Sequence, residues 1–358
     1  MELLQPTKNK LESIQILRGV AACVVVFCHF SEAMLDYGYH SKSFIASSRL
    51  YVLGGSGVDV FFIISGFIMY YTQYNKIIDF TISRGTIIKN FIIHRFKRIY
   101  PTYWIWTTLL VMLWLFHFAL KNHYFSFLQL VFSYALIPSV DNSVLSHPIL
   151  NQGWTLIYEI YFYVVFALAI LFRKNFNIII SVFSLMLLLG VLFNLFVPAS
   201  GYACLSKNGL LIEFLFGMLA AHFIKNRILH FSNTLYKAFI IIAVIGFGVS
   251  LLYINNMDYR SLFWGTPSFL LVLGLVGSEG HKPFKKNILT SVLLFLGNAS
   301  YSIYLTHGFG SLLLGNVLKK HHFHINDGII VIVSLVAIMI SSFTYYLVEK
   351  PINSLLYK

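Results

Sequence analysis

An arginine and a histidine stand eleven residues apart in LRGVAACVVVFCHF, an otherwise apolar stretch at residues 17–30. In a helix, Arg18 and His29 would share one face, about 16 Å apart along the axis. Ionisable side chains within a membrane are costly and usually functional, and histidine titrates in the range that a general base needs. We therefore predict that His29 is a catalytic base. The alternative is that Arg18 reaches the lipid headgroups and His29 makes a structural hydrogen bond.

Two carboxylates lie in later apolar segments, in what we predict to be the same outer half of the membrane as His29. Asp59 follows four small residues in GGSGVDVFFIISGF, and Glu159 lies in NQGWTLIYEIYFY. Either carboxylate can orient a histidine by hydrogen bonding to its ring. We expect Asp59 to pair with His29 or Arg49, with a polar cap on tightly packed helices as the alternative.

Two arginines close the polar stretch HRFKRIYPTYW, three residues apart. Arg95 and Arg98 would share a helix face, and paired guanidinium groups suit the recognition of phosphate. A strong alternative is a basic anchor on the cytoplasmic side of the membrane, beside a belt of aromatic residues.

Later motifs carry weaker signals. GNASYSIYLTHG puts His307 in the outer half of its span, and EKP at 349–351 predicts the cap of the last helix at the cytoplasm. A small cluster of His321, His322 and His324 most simply fits a solvated loop. No acidic or cysteine partner accompanies this cluster, and the three cysteines form no CxxC pattern. We therefore expect neither a metal site nor a disulfide framework.

The composition is that of a membrane protein. Of the 358 residues, 58% are hydrophobic and only 11% are charged, whereas soluble domains carry about 25% charged residues. Apolar runs fill the chain, which predicts a single membrane domain over residues 1–358. The formal net charge of +13 is explained by basic residues flanking helices on the cytoplasmic side, so we do not expect a nucleic-acid partner.

Ten apolar runs are long enough to span a bilayer. They lie near residues 13–35, 56–73, 99–120, 153–172, 177–197, 209–224, 236–254, 261–278, 288–318 and 328–348. The run at 124–138 is short and typical of a re-entrant or interfacial segment. If it does not span, 19 of the 26 lysines and arginines fall on the cytoplasmic side, against 13 if it does. We predict an all-α bundle of about ten transmembrane helices with both termini cytoplasmic.

The motifs taken together resemble those of the acyltransferase 3 family of membrane O-acyltransferases, in the family's order and over nearly the whole chain. They are Arg18 and His29 in the first helix, GVDVFFIISGF, Arg95 and Arg98 before Pro101, WTLIYE, SYSIYLTH and the terminal VEKP. The IMYYT, WTLIYE and IYFY details are most similar to the subgroup that acetylates bacterial exopolysaccharides.

The resemblance implies transfer of an acyl group, usually acetyl, from cytoplasmic acyl-CoA to a sugar hydroxyl. It implies that Arg18 and His29 are essential and that Arg18, Arg95 and Arg98 serve the donor. Asp59 and Glu159 join His29 as expected catalytic residues. Supporting roles are expected for Ser65, Gly66, Trp154 and His307. The expected location is the bacterial cytoplasmic (inner) membrane, in the stand-alone form that has no C-terminal extracytoplasmic domain.

Other functions and mechanisms remain open at this point. Several spans with intramembrane Arg, His, Asp and Glu also fit a transporter or flippase for a glycan or lipid-linked precursor, and a scaffold for a glycan assembly complex is a third possibility. Within the enzyme hypothesis, a covalent relay through Cys28 or Ser65 rivals direct transfer. The acceptor sugar, the acyl chain and the oligomeric state are not predicted.

Overall fold

The computed structural model of the chain is almost entirely helical. It describes residues 11–35, 44–141, 144–173, 177–226, 231–253, 259–281, 283–320 and 326–357. The helices are α1 (Glu12–Leu35), α2 (Phe44–Ser47), α3 (Gly54–Ile78), α4 (Arg84–Leu115), α5 (Phe127–Ala135), α6 (Trp154–Ile170), α7 (Ile178–Phe196), α8 (Gly201–Ser206), α9 (Leu210–Asn226), α10 (Asn233–Tyr253), α11 (Thr266–His281), α12 (Ile288–Lys320), α13 (Asp327–Thr344) and α14 (Lys350–Leu356). Single 3₁₀ turns precede α3 (Leu50–Leu53) and α6 (Asn151–Gly153), and π-helical turns lead into α11 (Ser261–Gly265) and α14 (Tyr345–Glu349).

Eight helical stretches within the described residues are long and apolar enough to cross a membrane. They fall on eight of the ten predicted runs, which confirms an all-α architecture built around apolar helices. The two other runs, 99–120 and 209–224, fall on α4 and on the 17-residue α9. The count of ten spans and the sidedness of the termini stay predictions.

Helix α4 begins earlier than the apolar pattern indicates. Ser83 caps it, because its Oγ accepts a hydrogen bond from the Thr86 amide at 3.1 Å. The helix then runs through the basic stretch and across Pro101 to Leu115. Arg95 and Arg98 therefore lie on a helix, as their spacing requires for a shared face.

The segment at 124–138 holds a short helix rather than a span. Helix α5 has nine residues, or about 14 Å at 1.5 Å per residue, less than half the thickness of a hydrocarbon core. Ser126 and Gln129 form a reciprocal capping box at its start. A two-stranded hairpin of β1 (Val140–Asp141) and β2 (Val144–Leu145) follows. The chain then turns through Asn151–Gly153 into α6.

Helices α12, α1, α3 and α9 pack side by side in this order, at close range and through small residues. A Cβ placed on Gly57 of α3 would lie 2.8 Å from the carbonyl oxygen of Ala21 in α1. A Cβ on Gly66 would collide with the carbonyl oxygen of Phe214 in α9. Small side chains let membrane helices approach backbone to backbone. By contrast, α7 and α10 expose rows of large apolar side chains, as lipid-facing helices do; among them are Leu187, Leu188, Val191, Ile241 and Ile245.

Candidate active site

A cavity of about 480 Å³ lies between α1, α3, α4, α12 and the last helical segments, 345–357. Arg18 and Arg98 line it together with Tyr301 and Glu349. Two guanidinium groups converge on one space from different helices, although they lie eighty residues apart in the sequence. Fixed cations facing a cavity form a binding site for an anion such as phosphate.

A smaller cavity of about 60 Å³ adjoins the larger one. Arg18, Arg98 and Tyr301 line both, so the two spaces meet at these residues. Glu159 and Tyr304 also line the smaller cavity, and most of the remaining wall is apolar. The arrangement is a wide basic chamber next to a narrow, largely apolar cavity, here called the passage.

A pair of histidines lies beside the Tyr304 side of this passage. His29 Nδ1 and His307 Nε2 are 3.3 Å apart, and the two rings meet edge to face with their centroids separated by 5.0 Å. The ring of Tyr304 lies 6.0 Å from that of His307, and Thr155 donates a hydrogen bond to the Tyr304 hydroxyl at 3.0 Å. His307 is 1% exposed. The structure therefore brings together His29 and His307, which the sequence separates by 278 residues.

The three predicted donor-side arginines have different surroundings. Arg18 and Arg98 face the cavities, whereas Arg95 is buried between two aromatic rings. Its guanidinium carbon lies 5.5 Å from the centroid of Phe91 and 5.3 Å from that of Tyr163. Arg98 thus faces the cavity with Arg18 as its neighbour, whereas the cation–π contact of Arg95 with Tyr163 joins α4 to α6.

Of the two predicted carboxylates, Glu159 lines the passage. Tyr163, one turn further along α6, donates a hydrogen bond to its Oε2 at 3.1 Å. Ser65 of α3 lines the same passage. Its neighbour Gly66 provides the close α3–α9 packing described above. Both were predicted to have supporting roles: Ser65 forms part of the cavity wall, and Gly66 allows the close packing of α3 on α9.

Asp59 is engaged by an arginine that the sequence analysis did not single out. Arg260 Nε and Nη2 donate to its two carboxylate oxygens at 3.1 and 2.7 Å, and Nη2 also donates to the Gly55 carbonyl. The Asp59 side chain is fully buried, and the buried carboxyl group of Glu213 belongs to the same charged cluster. Both oxygens of Asp59 are therefore occupied by Arg260 and not by the predicted partners His29 or Arg49.

Trp154 occupies a site at the start of α6. Its ring stacks on that of His147 at 6.0 Å and meets Tyr158 edge to face at 5.9 Å. Trp154 therefore fixes the start of α6 against the preceding loop, and the next residue of this helix is Thr155, which contacts Tyr304.

Glu349 is a site residue that the sequence analysis missed. The prediction that EKP caps the last helix was wrong, because Glu349 ends a π-helical turn from which α14 continues. Its buried Oε2 accepts from the amide and the hydroxyl of Ser302 at 3.1 and 2.5 Å. The carboxylate also lines the wide cavity together with Arg18. An acidic residue two positions before a proline, at the end of an apolar run, gave no signal for burial.

Tyr301 and Tyr304 were also missed as individual residues, although their motif was noted. With His307 they recur every three residues along α12 and so form one ridge of the helix. This spacing could have identified the two tyrosines, because an intramembrane histidine marks the face of its helix that points into the bundle.

Among the described residues, no group of three or more His, Cys, Asp or Glu side chains is arranged to hold a metal ion. The predicted histidine cluster at 321, 322 and 324 lies outside the described residues. Cys23, Cys28 and Cys204 are free thiols.

Comparison with known proteins shows the family to which the chain belongs. Residues 11–347 match the model of the acyltransferase domain family Acyl_transf_3. The chain belongs to this family of acyltransferases, which confirms the resemblance drawn from the motifs. With its apolar helices it is a multi-pass membrane protein, and membership favours an acyltransferase over a transporter or a scaffold.

A curated relative is the exopolysaccharide production protein ExoZ of Rhizobium meliloti (strain 1021). The two chains are 30% identical over 265 residues, which cover 72% of this chain and 77% of that protein. No solved structure matches the chain.

Proposed function

We propose that this protein is a membrane O-acyltransferase that moves an acetyl group from acyl-CoA to a hydroxyl of an exported polysaccharide. The observation that carries the proposal is a pair of adjoining cavities that share Arg18 and Arg98, the narrower of which is also lined by Tyr304, whose ring contacts that of His307. The proposed location is the bacterial cytoplasmic membrane, with residues 1–358 acting as one catalytic unit.

The chemistry of the two cavities supports acyl-CoA as the donor substrate. A chamber of about 480 Å³ with two arginines and several tyrosines suits a nucleotide that carries phosphates, because guanidinium groups bind phosphate oxygens in pairs and aromatic rings stack on bases. The passage of about 60 Å³ suits a thin, uncharged arm. In this proposal Arg18 and Arg98 hold the phosphates, and the thioester points towards His29.

The chemistry assigned to His29 is general base catalysis. Its free ring nitrogen takes the proton of the acceptor hydroxyl as the hydroxyl oxygen attacks the thioester carbonyl. The carbon–oxygen bond forms and the carbon–sulfur bond breaks. The proton then passes from His29 to the departing thiolate, so the products are an ester and a thiol and no other reactant is needed. Glu159 lies in the wall of the passage together with Arg18 and Arg98 and is proposed to hold these two arginines in place.

The acceptor is proposed to approach from the side of His307 opposite the donor. A third cavity of about 140 Å³ lies next to Gly308 and has Asn151, Gln152 and Ser311 in its wall. Amide and hydroxyl side chains are suitable partners for sugar hydroxyls. Since the relative ExoZ is named for exopolysaccharide production, we propose an exopolysaccharide or its lipid-linked precursor as the acceptor.

The test uses inverted membrane vesicles from cells that express the chain, supplied with acetyl-CoA labelled in the acetyl group. Label is expected to enter the glycan fraction with the parent protein and to be lost with His29→Ala. Arg98→Ala is expected to raise the acetyl-CoA concentration needed for half-maximal transfer, because it removes a cation from the donor cavity.

Two control variants test whether the lost transfer and the raised acetyl-CoA requirement are specific to the site rather than a result of impaired folding. His117→Asn changes an exposed histidine, and Lys89→Ala removes one exposed positive charge from the same helix as Arg98. Both controls are expected to transfer at the parental rate. Full transfer by His29→Ala would refute the assigned base. Label found covalently on the protein would replace direct transfer by a relay, for which Cys28 and Ser65 are the candidates.

A further inference from the structure

The hydrogen bonds of the histidine pair define where its protons lie. His307 Nδ1 is 3.1 Å from the carbonyl oxygen of Ile303, one turn earlier in α12. A carbonyl oxygen only accepts hydrogen bonds, so Nδ1 of His307 must carry a proton. In a neutral imidazole the other nitrogen is then an acceptor, and this nitrogen, Nε2, is the one that faces His29.

The same reasoning continues to His29. Because His307 Nε2 accepts, His29 Nδ1 at 3.3 Å must donate. A neutral His29 that is protonated on Nδ1 has its lone pair on Nε2. The backbone carbonyl of Ile303 therefore determines, through two rings, which nitrogen of His29 is free to accept a proton.

We propose that His307 is a positioning residue that holds His29 in the Nδ1–H tautomer and leaves Nε2 as the catalytic base. This inference rests on the proposed function, in which His29 takes the proton of the acceptor hydroxyl. His307 touches neither substrate. It occupies the position in which a carboxylate commonly orients a catalytic histidine, and it accepts the hydrogen bond without adding a charge.

The surroundings of His307 fit this role. It is 1% exposed, so water does not compete for its Nε2. The ring of Tyr304 packs against it at 6.0 Å, and the Tyr304 hydroxyl is already engaged by Thr155. The His307 ring is thus held by its hydrogen bond to Ile303 and by its contact with Tyr304. A positioning residue requires such a fixed ring.

Two amide variants of His307 test whether the hydrogen-bond acceptor at Nε2 is the part of the side chain that matters. In His307→Gln, the longer side chain brings its carbonyl oxygen to the position of Nε2 and keeps an acceptor for His29. In His307→Asn, the shorter amide reaches the position of Nδ1 only and leaves His29 Nδ1 without its partner. Loss of a residue that orients a catalytic group typically costs about 10- to 100-fold in activity. We expect His307→Asn to lose kcat by about that factor with the KM for acetyl-CoA unchanged, and His307→Gln to stay within about tenfold of the parent.

The tautomer of His29 is measured separately, by nitrogen-15 NMR of histidine-labelled protein in detergent, with His29→Gln used to assign its signals. The parent and His307→Gln are expected to show His29 protonated on Nδ1, and His307→Asn to lose this preference. His222→Asn, which removes a histidine bonded to Tyr70 elsewhere in the bundle, is the control and should leave the His29 signals unchanged.

The measurements of kcat and of the His29 tautomer distinguish failure of the inference from failure of the proposed function. If His307→Asn keeps parental kcat, or if its His29 retains the Nδ1–H tautomer, the inference is overturned. If the parent transfers no acetyl group while the expected tautomers are observed, the proposed function fails and the positioning of His29 by His307 stands.

Discussion

The buried pair of Asp59 and Arg260 allows a quantitative test of whether Asp59 is structural. Two charge-assisted hydrogen bonds of 3.1 and 2.7 Å join the side chains, and Asp59 is fully buried. Such bonds contribute about 1.5–3 kcal/mol each. Removing one partner of a buried pair typically costs about 3–5 kcal/mol, because the remaining charge has no counterion.

We expect Arg260→Met to lower the free energy of unfolding by about 3–5 kcal/mol. Asp59→Asn should cost less, since an amide at this position still accepts from Arg260. The double variant, Asp59→Asn with Arg260→Met, removes both charges and should recover much of the loss. The two changes should therefore be strongly coupled, in the upper part of the range of about 0.5–3 kcal/mol seen for residues in contact.

Unfolding in detergent, followed by intrinsic fluorescence, measures these differences. Lys207→Met is the control, because it removes an exposed cation and should shift stability by less than about 0.5 kcal/mol. Equal instability of Arg260→Met and the double variant would refute the reasoning, since it would mean that the unpaired Asp59 charge is not the cause. A double variant that folds but transfers no acetyl group would instead return Asp59 to the catalytic role predicted from the sequence.

Two further predictions concern packing and the cavity wall. Gly66→Ala places a methyl group on the carbonyl oxygen of Phe214 and should cost about 3 kcal/mol or more by forcing α3 and α9 apart. Gly85→Ala, which meets open space in the first turn of α4, should be neutral or stabilising by up to about 1 kcal/mol; equal melting temperatures of the two variants would contradict the collision. Glu349→Ala strands the buried amide and hydroxyl of Ser302 and should cost about 1–3 kcal/mol, whereas Glu349→Gln keeps an acceptor and should melt close to the parent. Destabilisation by Glu349→Gln as large as that by Glu349→Ala would show that the charge, and not the hydrogen bond, is what matters.

The helices were largely predictable from the sequence because a bilayer tolerates only helices with long apolar surfaces. This rule finds the spans but not the full extent of α4, whose first half is basic. In this basic half, the helix is indicated only by local features, namely the capping residue Ser83 and the three-residue spacing of Arg95 and Arg98. The short α5 was predictable for the same reason as the spans, since its apolar run is too short to cross.

The site was predictable only where its residues share one helix. Arg18 and His29 lie on one face of α1 by helical geometry alone, and both prove to face the centre of the bundle. The partners of these residues come from distant parts of the chain. Arg260 is 201 residues from Asp59, and His307 is 278 residues from His29. Spacing along a sequence carries no information on such pairs, because it does not say which helices become neighbours.

A neutral partner for His29 also suits the charge balance of the proposed reaction. A carboxylate beside His29 would make it a stronger base, but it would also hold the proton more firmly once His29 is an imidazolium, and this proton must pass on to the thiolate. In a membrane interior of low dielectric, a fixed negative charge would in addition repel the oxygen of the acceptor as that oxygen develops negative charge. His307 directs the lone pair of His29 without either penalty, and the carboxylate of Glu159 lies instead in the passage wall that it shares with Arg18 and Arg98. The fixed cations lie at the other end, at Arg18 and Arg98, where the donor phosphates need them and where they do not disfavour the imidazolium as strongly as an adjacent cation would.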